Sequence, residues 1–167
     1  PSIASSRAIT VCAGAKAILD LRLTLEYLET HGVPVIGVGT DELPAFYSRG
    51  SGLAVDRRLD TPAEIAAVLR AKWQAGLAGG VLIANPIPAE HEIPHEQIDA
   101  VIGQALIEAQ DQGIEGALVT PFLLNRVSEL TEGRSLDSNI ELVLNNARVA
   151  AKIARELSMP SPSGLRR

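Results

Sequence analysis

Lys16 is the residue best placed for covalent chemistry. It follows Val11-Cys12-Ala13-Gly14-Ala15, where an apolar run from Ala8 to Cys12 gives way to small residues and then to a helical period from Ile18. In an α/β fold such a junction lies at the carboxyl end of a strand, where backbone amides and helix N-termini converge on ligands. A lysine among alanines and apolar neighbours there is partly desolvated, which favours the neutral, nucleophilic amine. The spacing alone fits a phosphate-binding lysine, or a merely solvated one, at least as well. Asn85 closes a second apolar run and precedes Pro86, a position that suits a ligand contact or a turn equally.

Other chemistries lose ground on inspection. The only histidines are His31, His91 and His95. His91-Glu92-Ile93-Pro94-His95 has the spacing of a zinc-protease helix, but Pro94 interrupts the helix that pattern requires. No metal ligand is assigned. Gly37-Val38-Gly39 is an incomplete dinucleotide fingerprint, and Ala13-Gly14-Ala15-Lys16 lacks the spacing and the Ser or Thr of a phosphate loop. There is no G-x-S-x-G elbow, and no pair stands out among the 20 acidic residues.

The elements that must position these residues alternate. A strand over Ala8–Cys12 leads to a helix over about Ala17–His31, with Ile18, Leu21, Leu25 and Leu28 in period, stopped by Gly32 and Pro34. Val33–Val38 reads as a strand and Gly39–Pro44 as a turn. Ala45–Leu59 is a loop with a possible short strand at Leu53–Val55. Thr61-Pro62-Ala63-Glu64 is a capping box opening a helix to about Ala75, with Ile65, Val68, Leu69 and Trp73 inward and Gly76 as terminator. Gly79–Ala84 is apolar on both faces, as a central parallel strand is. His95–Gln112 is amphipathic through Ile98, Val101, Ile102, Ala105, Leu106 and Ala109, and Gly113 closes it. Thr120-Pro121 reads as cap and first-turn proline of a helix carrying Leu123, Leu124, Val127 and Leu130, ended by Gly133. Ser138 or Ser135 caps a last helix to about Leu157, with Ile140, Val143, Leu144, Ala147, Ala151 and Ala154 inward. The pattern predicts an α/β fold, layered α/β/α around a largely parallel or mixed sheet. Helices exceed what three or four strands need, so the sheet is expected to draw strands from elsewhere.

At 167 residues and 46% hydrophobic content, the chain can bury a sizeable core. A net charge of −5 without a basic stripe, and 3% aromatic residues, argue against a nucleic-acid partner. The lone cysteine, Cys12, is read as core packing. No apolar run reaches membrane-spanning length, and a soluble cytoplasmic protein is expected. Pro1-Ser2-Ile3 lacks an initiator methionine and resembles the middle of a protein. Residues 1–158 are read as the C-terminal portion of a single α/β domain, and 159–167 as a flexible tail.

Several motifs, in one order, carry a family resemblance. They are Val11–Lys16 with Ile18-Leu19-Asp20, Thr24–Thr30, Gly39-Thr40-Asp41 with Pro44–Ser48, Gly80–Pro88, Thr120–Leu124, and Ser138-Asn139-Ile140 with Asn145-Asn146-Ala147. Over Ala8–Leu157 the chain resembles the pseudouridine-5′-phosphate glycosidase family, also called indigoidine-synthase-A-like. The resemblance implies cleavage of pseudouridine 5′-phosphate to uracil and ribose 5-phosphate. The bond broken joins carbon to carbon, so protonating a leaving oxygen or nitrogen does not help and the usual carboxylate pair has little purchase. In the family the ribose ring opens and an amine forms a Schiff base with C1′, which assists cleavage while C5 of uracil takes a proton.

The matching lysine is Lys16. Asn139 matches a position contacting the substrate near the base, where an amide offers both donor and acceptor. Thr120, Asn85 and Asp41 lie in matching motifs as candidate site lining, each with a cap or turn role as the alternative. In the family a divalent metal, typically Mn²⁺, is bound through an aspartate expected upstream of this chain, and the phosphate-binding lysine and an acidic catalytic residue are expected upstream as well. The resemblance therefore implies a partner in the missing N-terminal half, and a homo-oligomer, typically a trimer. Competing readings are a Schiff-base aldolase acting on another phosphosugar and a non-catalytic phosphosugar-binding or assembly half.

Overall fold

The computed structural model describes residues 2–15 and 19–159. Four parallel strands form the sheet: β1 (Ile9–Cys12), β2 (Val35–Val38), β3 (Arg57–Leu59) and β4 (Val81–Ala84), in the spatial order β1-β4-β2-β3. The register sets Ile83 beside Val11 on one side and Ile36 on the other. Every residue of β4 is buried, which explains its unbroken apolar sequence. The helices are α1 (Ser2–Ser5), α2 (Leu21–Thr30), α3 (Pro62–Gln74), α4 (His95–Asp111), α5 (Val119–Leu130) and α6 (Arg134–Ser158).

The two-residue period of the strands divides the core between two faces. Val35, Leu82 and Ala84 pack with Leu28 of α2 on one face. Ile36, Val81 and Ile83 pack with Ile65 and Leu69 of α3 and Ile153 of α6 on the other. The α/β/α layering expected from the sequence is therefore present. α4 and α5 form a further cluster, in which Ile98, Ile102, Leu123 and Val127 close around Tyr47 and Ile93.

Local signals hold where the chemistry is local. Thr61 Oγ1 accepts from the Glu64 amide while the Glu64 carboxylate accepts from the Thr61 amide, completing the capping box. These contacts hold the Glu64 carboxyl below its ordinary range, the Thr61 hydroxyl contributing most. Gly76 follows α3 at φ +75°.

Other expectations are corrected. α2 starts at Leu21 rather than near Ala17, because the Asp20 side chain caps it by accepting from the Leu23 amide at 2.9 Å. The strand sought at 53–55 is only a bridge between Glu42 and Ala54. The strand that pairs with β2 on the side away from β4 is β3, an edge strand whose two arginines erase any apolar signature. Thr120 does not cap α5. The chain enters that helix through a 3₁₀ turn at Gly116–Leu118, and no side-chain cap is made. Neither Ser135 nor Ser138 caps α6, which begins after Gly133 at φ +84° and buries both serines along its length. Val68, Leu106 and Leu124 point outward. So does the whole set taken as the inner face of α6: Ile140, Val143, Leu144, Ala147, Ala151 and Ala154 are exposed, while Leu142 and Ile153 are buried.

Candidate functional site

Because the four strands run parallel, their carboxyl ends share one edge, and the segments after β1, β2 and β4 meet there. Those after β1 and β2 are locked together by backbone. Gly14 has φ +90°, and a Cβ there would lie 1.8 Å from the Pro44 carbonyl oxygen. The Phe46 amide donates to the Ala13 carbonyl at 2.9 Å, with Phe46 itself at φ +62°. This is the close approach that the small residues before Lys16 permit. Lys16 itself lies outside the described residues. The nearest described residues are a half-buried Ala15 on the strand side and an exposed Leu19 before the Asp20 cap.

The β4 end is fixed from above by α6. Asn85, buried, continues the pairing with β1 by donating its amide to the Cys12 carbonyl at 2.8 Å. Its Nδ2 donates to Asn146 Oδ1 at 2.9 Å, and Asn145 Nδ2 donates to the Pro86 carbonyl at 3.1 Å. Ser138 Oγ donates to the His91 carbonyl at 2.7 Å. Leu142 joins Ala13 and Ile87 in a small buried cluster beside Phe46. Burial pushes the Tyr47 phenol above its ordinary range, against a hydrogen bond with Ser135 that pulls it down. Burial likewise raises the Cys12 thiol, which keeps it protonated and suits a packing role.

The candidate residues occupy different stations on this edge. Asn85 is spoken for by Asn146, so it shapes the site's wall. Asn139 lies one residue past the Ser138 anchor, half-buried, and its side-chain amide makes no hydrogen bond among the described residues. Asp41 is exposed and accepts from Arg58 Nη1 at 3.0 Å, while Arg58 Nε donates to Asp60, so this group ties the β2 and β3 ends together. Thr120 is half-buried at the second position of α5, and its side chain makes no hydrogen bond among the described residues. The contribution that sequence reasoning undervalued is the inner face of α6. Ser135, Ser138, Leu142 and Asn146 recur at i, i+3, i+7 and i+11, a period visible only if polar residues are allowed to face inward.

Among the described residues no group of three or more His, Cys, Asp or Glu side chains is arranged to hold a metal ion. The described side chains therefore do not by themselves fit a divalent cation. No helix among the described residues is long and apolar enough to cross a membrane.

Fold and edge together define an α/β protein with a polar site at the carboxyl ends of a parallel sheet, closed over by its longest helix. The chain belongs to the family described as indigoidine synthase A like protein, whose model matches residues 1–156. It is 62% identical over 93% of its length to a pseudouridine-5′-phosphate glycosidase of Geobacillus kaustophilus, covering 52% of that protein. It is 60% identical over 93% of its length to one of Paracoccus denitrificans, covering 51%. Among solved structures, the prealnumycin C-glycosynthase AlnA in complex with ribulose 5-phosphate superposes with a TM-score of 0.85 at 36% identity, over 93% of this chain and 51% of that one. An indigoidine synthase A-like protein of Thermotoga maritima superposes with a TM-score of 0.83 at 38% identity, over 94% of this chain and 52% of its own. The chain spans about half the length of the curated relatives it matches.

Proposed function

We propose that this chain carries the lysine-bearing half of a pseudouridine-5′-phosphate glycosidase and acts together with the half of the family's fold that it does not span. The observation that carries this reading is 54–62% identity, over 93% of the chain, to relatives bearing that name. A structural relative that is named a C-glycosynthase and binds ribulose 5-phosphate supports chemistry at a carbon–carbon bond to a pentose phosphate.

In the reaction the neutral Lys16 amine adds to C1′ as the ribose ring opens. The nitrogen lone pair then forms the C=N bond as the C1′–C5 bond breaks, its electron pair staying on uracil, whose C5 takes a proton. Water hydrolyses the iminium, releasing ribose 5-phosphate and regenerating the amine. Asn139, the unpaired amide on the inner side of α6, holds the edge of uracil, and the Asn85–Asn146 pair keeps the β4 end in register with α6. The phosphate grip and any divalent cation come from the complementary half.

Borohydride reduction in the presence of ribose 5-phosphate and the complementary half tests the covalent step. A reduced pentose phosphate adduct is expected on the peptide containing Lys16. Lys16→Ala is expected to remove both the adduct and uracil release, by about 10³-fold or more. An adduct on another residue, or uracil release from the assembled wild type without any adduct, removes Lys16 from the role.

A further inference from the structure

Phe46 sits at the tip of a tight turn in the segment after β2. The Ala45 amide donates to the Ser48 carbonyl at 2.9 Å and the Ser48 amide returns to the Ala45 carbonyl at 3.4 Å, which leaves Phe46 and Tyr47 as the two central residues. Phe46 has φ +62°. A two-residue hairpin turn with positive φ at its first central residue ordinarily places glycine there, because a bulky side chain in that region is strained. Phenylalanine keeps such a conformation only where its surroundings over-determine it.

Those surroundings act from several sides. Toward β1, the Phe46 amide donates to the Ala13 carbonyl at 2.9 Å, beside the close approach of Gly14 to the Pro44 carbonyl. Toward β4, the Ile93 amide donates to the Tyr47 carbonyl at 2.9 Å and Ser48 Oγ donates to the Ile93 carbonyl at 2.7 Å. Arg49 Nη1 adds a bond to the Ile87 carbonyl at 2.6 Å. Toward α6, the Phe46 ring packs against the buried cluster of Ala13, Ile87 and Leu142. The same ring stands edge-on to that of Tyr47, with centroids 4.8 Å apart and planes at 88°, and touches the hairpin cluster behind it.

Backbone and ring of Phe46 thus hold different things. The amide fixes a strand end that is three residues before Lys16, at most about 11 Å of chain away. The ring fixes Leu142, which lies three residues beyond Asn139 on the same side of α6. A glycine would keep the turn and the amide without strain, and would let go of the helix.

Resting on the reading of Lys16 and Asn139 above, we infer that Phe46 is a positioning residue that sets the lysine-bearing loop and the Asn139 side of α6 at one fixed separation. It touches no substrate. Its effect is confined to steps that need the amine and the base-holding amide together. Breaking the C1′–C5 bond is such a step, whereas Schiff-base formation with ribose 5-phosphate, which carries no base, needs the amine without the amide.

The test measures both steps in the assembled enzyme for Phe46→Gly and Phe46→Leu. Uracil release should fall about 10²-fold in the glycine variant and about tenfold in the leucine variant. Borohydride trapping of ribose 5-phosphate on Lys16 should stay within about twofold of the wild type in both. Circular dichroism shows whether each variant keeps its fold. If the glycine variant does not, the leucine variant, which retains most of the buried apolar volume, decides the outcome. Equal losses of trapping and release in a folded variant make Phe46 a structural residue and overturn the inference. Undiminished release overturns it as well. A wild type that releases uracil without an adduct on Lys16 is a failure of the catalytic reading, and it is seen before either variant is compared.

Discussion

The hairpin of α4 and α5 closes on itself, whereas the corner made by α6 and β1 closes on one side only. In the hairpin, Ile98, Ile102, Leu123 and Val127 meet around Tyr47. Arg126 seals the rim by donating through Nε and Nη2 to Glu108 and through Nη1 to Glu129. At the corner, α6 buries Ser135, Ser138, Leu142 and Ile153 and leaves a line of Leu, Ile, Val and Ala facing outward. A polar residue can face inward when backbone carbonyls and amides are there to receive it. The exposed apolar residues of α6, Leu136, Ile140 and Val143 among them, thus lie in a line opposite in character to the buried polar side.

Substitutions on the two sides of α6 break that contrast most strongly. Ile153→Ala, at a fully buried position, should cost about 2–5 kcal/mol of stability in chemical denaturation. Ile140→Ala, at a half-exposed position, should stay within about 0.5 kcal/mol. Equal effects in the isolated chain would put both residues in one core and dissolve the distinction.

The polar side of the same helix gives a middle-sized effect. Asn146→Ala leaves the buried Nδ2 of Asn85 without its acceptor and should cost about 1–3 kcal/mol. In the assembled enzyme it should lower kcat more than it raises KM if the Asn85–Asn146 pair positions the edge rather than binding substrate. An unchanged kcat would reduce the pair to a structural tie.

The smallest effect belongs to the closed hairpin and sharpens the comparison through pH. The Arg126 guanidinium, helped by Gln104, holds the Glu108 carboxyl below its ordinary value of 4.5. A carboxyl lower in the folded than in the unfolded state contributes stability above the unfolded value, and loses it as pH falls through the folded one. Glu108→Gln should therefore lower Tm slightly at neutral pH and match the wild type in acid. A gap that widens on acidification would contradict the pairing.

Much of this was written locally. The capping box at Thr61, the glycine stop at Gly76 and the buried run of β4 were legible because each depends on neighbours a few residues away or on burial on both faces. The strand at Arg57–Leu59 was not, because an edge strand needs no apolar pattern and two arginines hide it. The caps proposed at Thr120 and Ser138 failed for different reasons: the chain enters α5 through the turn at Gly116–Leu118, and Ser138 spends its hydroxyl on the His91 carbonyl, 47 residues away.

By itself the sequence determined the α/β class and the family. Those rest on short-range pattern and on the identity of residues within motifs. Only the tertiary structure decided which face of α6 is inside, because hydrophobic periodicity records that a face will be buried without saying by what. It also decided that Asn85 is held by Asn146 and that Gly14 touches Pro44, since contacts between residues tens of positions apart arise only when three strand ends are brought to one edge.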